Sequence, residues 1–210
     1  MINKIKKFFA KKETPKVEQN VLEKIDEMFD SLNSDVITLL IGGDFIEHSD
    51  LILKVISDYR DELKDTTGFI LSPVHVMSDN SLQENEFVVK VLGKQVTQKF
   101  VIPNEEHIKE DILDSLKYLY ENKLDEIFTC EITEKYINFV QKNRPYTIWN
   151  ISIMYTIEEI RSVLVGILSN KKSIKDINKV FDRFVQYSME SGFCSHTSAD
   201  KIVNKILKKL

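Results

Sequence analysis

Cys194, Ser195 and His196 form the one cluster whose residue types match nucleophilic catalysis. Attack by a cysteine needs an imidazole facing the sulfur and a third group that orients the imidazole. Residues two apart achieve this only in particular turns, and a loop before a helix capped by Thr197 or Ser198 explains the same residues. Gly42 and Gly43 close an apolar run, a place where a phosphate can approach bare backbone. The chain has neither GxxxxGKS/T nor GxGxxG, and nothing near the pair supplies the lysine, so a tight turn accounts for it. His48, His75, His107 and His196 never fall at i, i+3 or i+4 to one another, so no zinc-binding spacing is present. Glu105, Glu106, Glu110 and Asp111 crowd the start of an expected helix, where acids complement the positive end of the macrodipole. No catalytic residue, metal ligand or cofactor is expected from these clusters.

The composition agrees with a packing protein. Of 210 residues, 42% are hydrophobic and 30% charged, which suits a folded chain. Six glycines and four prolines are too few for a sandwich with many turns, so long helices are expected. Two distant cysteines, Cys130 and Cys194, offer no disulfide framework and point to a reducing, intracellular setting. No apolar run approaches the roughly 18 residues of a spanning helix. Residues 1–20 carry six lysines and two glutamates, a net of +4, which leaves −8 on residues 21–210. An acidic body of this kind argues against nucleic acid as a partner.

The pattern of apolar residues then places the elements. Residues 1–20 read as a basic flexible tail, in which Ile2, Ile5, Phe8 and Phe9 recur between lysines. Lys4, Lys6, Lys7, Phe8, Phe9, Lys11 and Lys12 fit a surface-seeking helix on an anionic membrane, while a solvated terminus explains the same residues. A helix is expected from about Glu18 to Leu32, and a buried strand over residues 36–43. Ser49 is expected to cap a helix over Asp50–Lys64, with Ile52, Val55, Ile56, Tyr59 and Leu63 inward. A strand interrupted by Pro73, a turn at Asn80 and Ser81, and a hairpin over residues 87–102 pivoting at Gly93 and Lys94 complete a β-α-β-β-β unit.

The remainder reads as helical. Asn104 caps a helix to about Asn122, Thr133 starts a shorter one ending before Pro145, and Thr156 with Glu159 forms a capping box. Ser173 with Asp176 repeats that logic ahead of Ile177, and a last amphipathic helix carries Ile202, Val203, Ile206 and Leu207. The expected fold class is α+β: a leading helix and small β-α-β-β-β unit over 21–103, then a helical subdomain over 104–210 packed against it.

Two segments resemble a known family. The stretch GFILSPVHVMSDNSLQENEFVVKVLGKQV, Gly68 to Val96, is similar to a signature in the cytoplasmic domain of the flagellar and type III secretion export gate (the FHIPEP family). Gly68, Phe69, Pro73, Val74, Val76, Asp79, Asn80, Leu82, Phe87, Val89, Gly93 and Val96 carry that match. Upstream, Gly42 and Arg60 match the family's strand glycine and helix arginine. A second segment, Ile157 to Val185, resembles a later family stretch through Ile160, Val163, Leu164, Ile167, Leu168, Ile174, Asp176 and Val180, with Lys175 in place of arginine.

The resemblance implies a non-enzymatic scaffold that binds export components, chaperones or further copies of itself at the inner face of the membrane. The departures narrow that expectation. Ser78 stands where the family has arginine, only the basic tail precedes the module, and the hairpin runs directly into the next helix without the family's inserted subdomain. Much of the family's chaperone-docking groove is attributed to that insertion, so the assembly role transfers better than the docking role. The alternatives are a peripheral membrane adaptor reused outside secretion, and an enzyme whose site assembles only in the fold.

Overall fold

The computed structural model describes residues 36–102, 104–190 and 197–209. The expected helix at 18–32, the basic tail with its lysines, and the Cys194–His196 cluster lie outside the described residues.

A run that is apolar except for Thr38 makes Ile37–Ile41 (β1) a strand covered on both faces, and it lies inside the sheet. Val74–Ser78 (β2), Glu86–Val91 (β3) and Lys94–Phe100 (β4) complete a four-stranded sheet of order β2-β1-β3-β4. β1 pairs in parallel with β2, Ile37 opposite Val74, and antiparallel with β3, Ile37 opposite Val91. The burial of each strand follows its position: β3 is almost wholly buried, whereas edge strands β2 and β4 alternate or face water. The parallel pair needs a crossover, supplied by helix α1, Ser49–Thr67. Its buried residues are Ile52, Val55, Ile56, Tyr59 and Leu63, the expected stripe.

Seven further helices follow among the described residues: Glu105–Asn122 (α2), Leu124–Ile127 (α3), Cys130–Asn143 (α4), Pro145–Met154 (α5), Ile157–Ser169 (α6), Ile177–Glu190 (α7) and Ala199–Leu207 (α8). Sheet and helices share one continuous apolar cluster that runs from Val36 to Ile206. The α+β class and the β-α-β-β-β unit stand as expected, and only four residues separate Phe100 of β4 from Glu105 of α2.

Several local expectations change. Ser49 is not a side-chain cap: a 3-10 turn, Gly43–His48, runs straight into α1, and Phe45 anchors it by an edge-to-face contact with Phe87 at 6.0 Å. The hairpin pivots on Leu92 and Gly93 rather than Gly93 and Lys94, because both adopt positive φ, 49° and 75°, as a two-residue type I′ turn requires. Helix α4 begins at Cys130 because Thr129 accepts the Ile132 N–H. Thr133 is buried within it, donating its hydroxyl to Thr129 O. Asp176 alone accepts the Lys179 N–H ahead of α7, while Ser173 is turned elsewhere. Asn104 and the Thr156–Glu159 capping box behave as expected.

Candidate protein-binding surfaces

The two segments that resemble the export gate meet at the C-terminal end of α1. That end is closed by Gly68 in the left-handed region, φ 78°, with its N–H donating to Lys64 O. A methyl group on Gly68 would stand 2.5 Å from Lys175 N and 2.6 Å from its Cα, so the 173–175 loop packs directly on the bare glycine. Helix ends leave carbonyls unpaired, and this loop satisfies them. Ile174 N donates to Thr67 O at 2.8 Å, Ser173 Oγ to the same oxygen at 3.0 Å, and Lys175 Nζ to Asp65 O at 2.8 Å. Lysine at a helix C-terminus also complements the macrodipole. Arg60 Nε donates to Leu71 O at 3.2 Å and so ties the following segment back to α1.

Tyr136 of α4 clamps the junction from the third side. Its hydroxyl donates to Gly68 O at 2.6 Å and accepts from Ile70 N at 2.9 Å. Phe69, Phe128 and Tyr136 stack in series, with centroids 5.3 and 5.9 Å apart, and Tyr120 also stacks with Phe69, at 5.8 Å. Burial pushes the Tyr136 phenol up to about 12, partly offset by the Ile70 N–H. Burial, then Glu62, raises Tyr59 as well.

An acid whose pKa is raised on folding is held neutral in the native state. Its contribution is complete below its unfolded value, near 10, and is lost as pH rises through the folded value. We expect Tyr136→Phe to cost about 2 kcal/mol at neutral pH, since two backbone groups lose their partner. We also expect it to flatten the fall in stability between roughly pH 10 and about 12. Urea unfolding of both proteins at about pH 8 and about pH 11 measures this. Equal losses in the two proteins would remove the Tyr136 phenol as a cause.

The other family-like positions sit apart from this junction. Asp79 Oδ1 accepts from Ser81 N at 2.9 Å and Ser81 Oγ at 2.7 Å, and these bonds hold its carboxyl below the usual range. Asn80 is exposed in the same turn. Gly42 lies nearby at the same end of the sheet, where a methyl would overlap Gln83 O at 2.0 Å, so its role is close backbone approach. Pro73, exposed, immediately precedes β2. Gly93 turns the hairpin at the end of the sheet where β1 begins.

The chemistry-bearing residues do not converge among the described residues: no three His, Cys, Asp or Glu side chains are placed to hold a metal. Cys130 Sγ donates to Glu158 Oε2 at 3.1 Å, and this bond, with burial, pushes the thiol up and keeps it protonated. Arg161 in turn bonds Glu158 at 2.6 Å and donates to Asp125 O and Phe128 O, a structural role. Asp111 pairs with Lys99 at 2.6 Å and joins α2 to β4.

Two apolar surfaces escaped the sequence reading. Helix α5 begins with Pro145 at its first turn and carries no charged residue over PYTIWNISIM. One side buries Ile148 and Ile151, while Tyr146, Trp149 and Ile153 are 82%, 64% and 63% exposed. The signal was available, since a short helix without a charge and rich in large apolar side chains must be buried by something. Arg144 and Thr147 fix the start of α5 through Asp182 of α7. The second surface is a groove of about 390 Å³ beside the junction, bounded by Ile70, Tyr136, Phe139 and Ile177.

The fold is that of the cytoplasmic domains of type III secretion export gates, in agreement with the sequence resemblance. Its solved counterparts include the Chlamydia pneumoniae CdsV protein, with TM-score 0.68 and 11% identity over 81% of this chain and 63% of that one. They also include nonameric EPEC SctV-C, with TM-score 0.65 and 11% identity over 82% and 64% of the two chains. The C-terminal domain of InvA matches with TM-score 0.55 and 16% identity over 81% and 64%. The chain thus spans under two thirds of the length of these structures. No established family profile and no curated protein matches the sequence. Among the described residues no helix is long and apolar enough to cross a membrane.

Proposed function

We propose that this chain is a non-enzymatic assembly module that acts in the manner of an export gate's cytoplasmic part, at the inner face of the membrane, and associates with further copies of itself and with export components. The observation that carries the reading is the face of α5. Three large side chains there, each mostly in water, present on the order of 400 Å² of contiguous surface without a charge. That is about half of what each partner contributes to a standard interface, enough for an apolar centre surrounded by a polar rim. Solved relatives in fold support it: SctV-C is nonameric, and CdsV has been solved in a complex with CdsO. The direct passage from β4 to α2 favours assembly over chaperone docking as the retained role.

Trp149 is the only tryptophan in the chain, so its emission reports this face directly. We expect light scattering to show self-association that rises with concentration, accompanied by a blue shift of Trp149 emission as the ring leaves water. Ile153→Glu should shift the protein to monomer and abolish the blue shift. A strictly monomeric protein whose emission does not change with concentration would rule the reading out.

A further inference from the structure

The groove at the junction has a chemistry of its own. Its apolar lining comes from three elements: Ile70 after α1, Phe139 of α4 and Ile177 of α7. Ile70 and Phe139 are 39% and 52% exposed, although the chain could have placed polar residues there at no cost to the core. Lys64, Lys135 and Lys175 stand around it, against Asp65 in its lining and Asp61, which pairs with Lys64. Three cations concentrated at one apolar groove run counter to residues 21–210, whose net charge is −8. Lys175 is fixed in place by the bond from Nζ to Asp65 O, and Lys64 by Asp61 at 2.9 Å. Lys135 lies exposed on α4, one turn from Phe139 on the same side of the helix.

The walls of the groove also restrict the form of its occupant. They are helix ends and side chains, and neither β2 nor β4, the two edge strands, contributes to them. An extended peptide would therefore find no strand edge with which to pair its backbone. A helix brings its backbone bonds with it and offers anchors at i, i+3, i+4 and i+7.

We propose that this groove docks an acidic amphipathic helix of a partner protein, with apolar anchors against Ile70 and Phe139 and carboxylates facing Lys135 and Lys175. The proposal rests on the protein-binding reading above but uses a surface separate from the α5 face. No catalytic step is involved.

The test uses the full-length chain and three fluorescently labelled synthetic peptides. The first is an amphipathic helix with a Leu/Phe stripe flanked by Glu, the second carries Lys in place of each Glu, and the third has Ser in place of the stripe. By fluorescence anisotropy the first should bind saturably and the other two at least tenfold more weakly. Phe139→Ser and Lys135→Glu, each with unchanged circular dichroism, should weaken the first peptide about tenfold or more, a change typical of losing a well-placed contact. Lys135→Glu should at the same time improve the Lys peptide. Absence of binding by the first peptide overturns the proposal, as do equal binding of all three and insensitivity to both substitutions. If Phe139→Ser instead dissociates copies of this chain and leaves peptide binding unaltered, the groove is a self-contact and the proposal fails. Light scattering of the Ile153→Glu variant answers separately for the assembly reading, because that variant should keep its peptide affinity.

Discussion

Replacing Gly68 with alanine should destabilise the protein by about 2–5 kcal/mol. Two separate effects add at this position. A side chain held at φ 78° costs about 1–2 kcal/mol, because Cβ crowds the following carbonyl. The methyl would also meet Lys175 N at 2.5 Å and Ile174 C at 2.9 Å, and these are backbone atoms that cannot rotate away. Relieving the overlap means moving the loop whose N–H, hydroxyl and ammonium groups satisfy Thr67 O and Asp65 O. Overpacking of this kind costs a further 1–3 kcal/mol or so. Urea unfolding followed by circular dichroism measures the loss. A change below about 1 kcal/mol would mean that the loop yields freely and does not depend on the glycine.

Phe128→Ala should be comparably damaging, at about 3–5 kcal/mol. Phe128 is fully buried and stands in the middle of the aromatic series, between Phe69 and Tyr136. Its removal deletes two stacking contacts and leaves a cavity walled by rigid rings, which collapse poorly. Phe128→Leu fills part of that space and should recover more than half of the loss, measured by the same unfolding midpoint. If alanine and leucine behave alike, cavity formation is not what the substitution reports.

The order of elements was readable because it is local. The buried strand at 37–41 shows as a run apolar but for Thr38, and α1 as a stripe of five residues at helical spacing that the fold buries without exception. Caps were legible where one residue had no rival, as at Asn104 and in the Thr156–Glu159 pair. They were misplaced where two competent residues lay within one turn. Thr129 displaces Thr133 and Asp176 displaces Ser173, in each case because the second residue finds a different bond within the fold.

The surfaces were much less legible. Gly68, Ile174 and Asp176 could be picked out by resemblance, but nothing local says that the first two touch. Tyr136 was missed altogether, because its partners are Gly68 and Ile70, 68 and 66 residues away. The exposed α5 face lay in plain view as a charge-free stretch after Pro145. A hydrophobic run of that length reads equally well as core until its neighbours are placed.

The bonds at the end of α1 join residues very distant along the chain: Ser173 to Thr67 closes 106 residues, and Lys175 to Asp65 closes 110. Closing so long a loop forfeits chain entropy before any contact compensates for it. The helices and the β3–β4 hairpin have no such handicap and can form early, and we expect the junction to lock last. Stability stored in a late contact acts as a brake on opening more than as an aid to folding. We therefore expect the glycine and the loop that sits on it to slow unfolding more than they speed folding. The Gly68→Ala variant should accordingly refold at nearly the ordinary rate and unfold much faster.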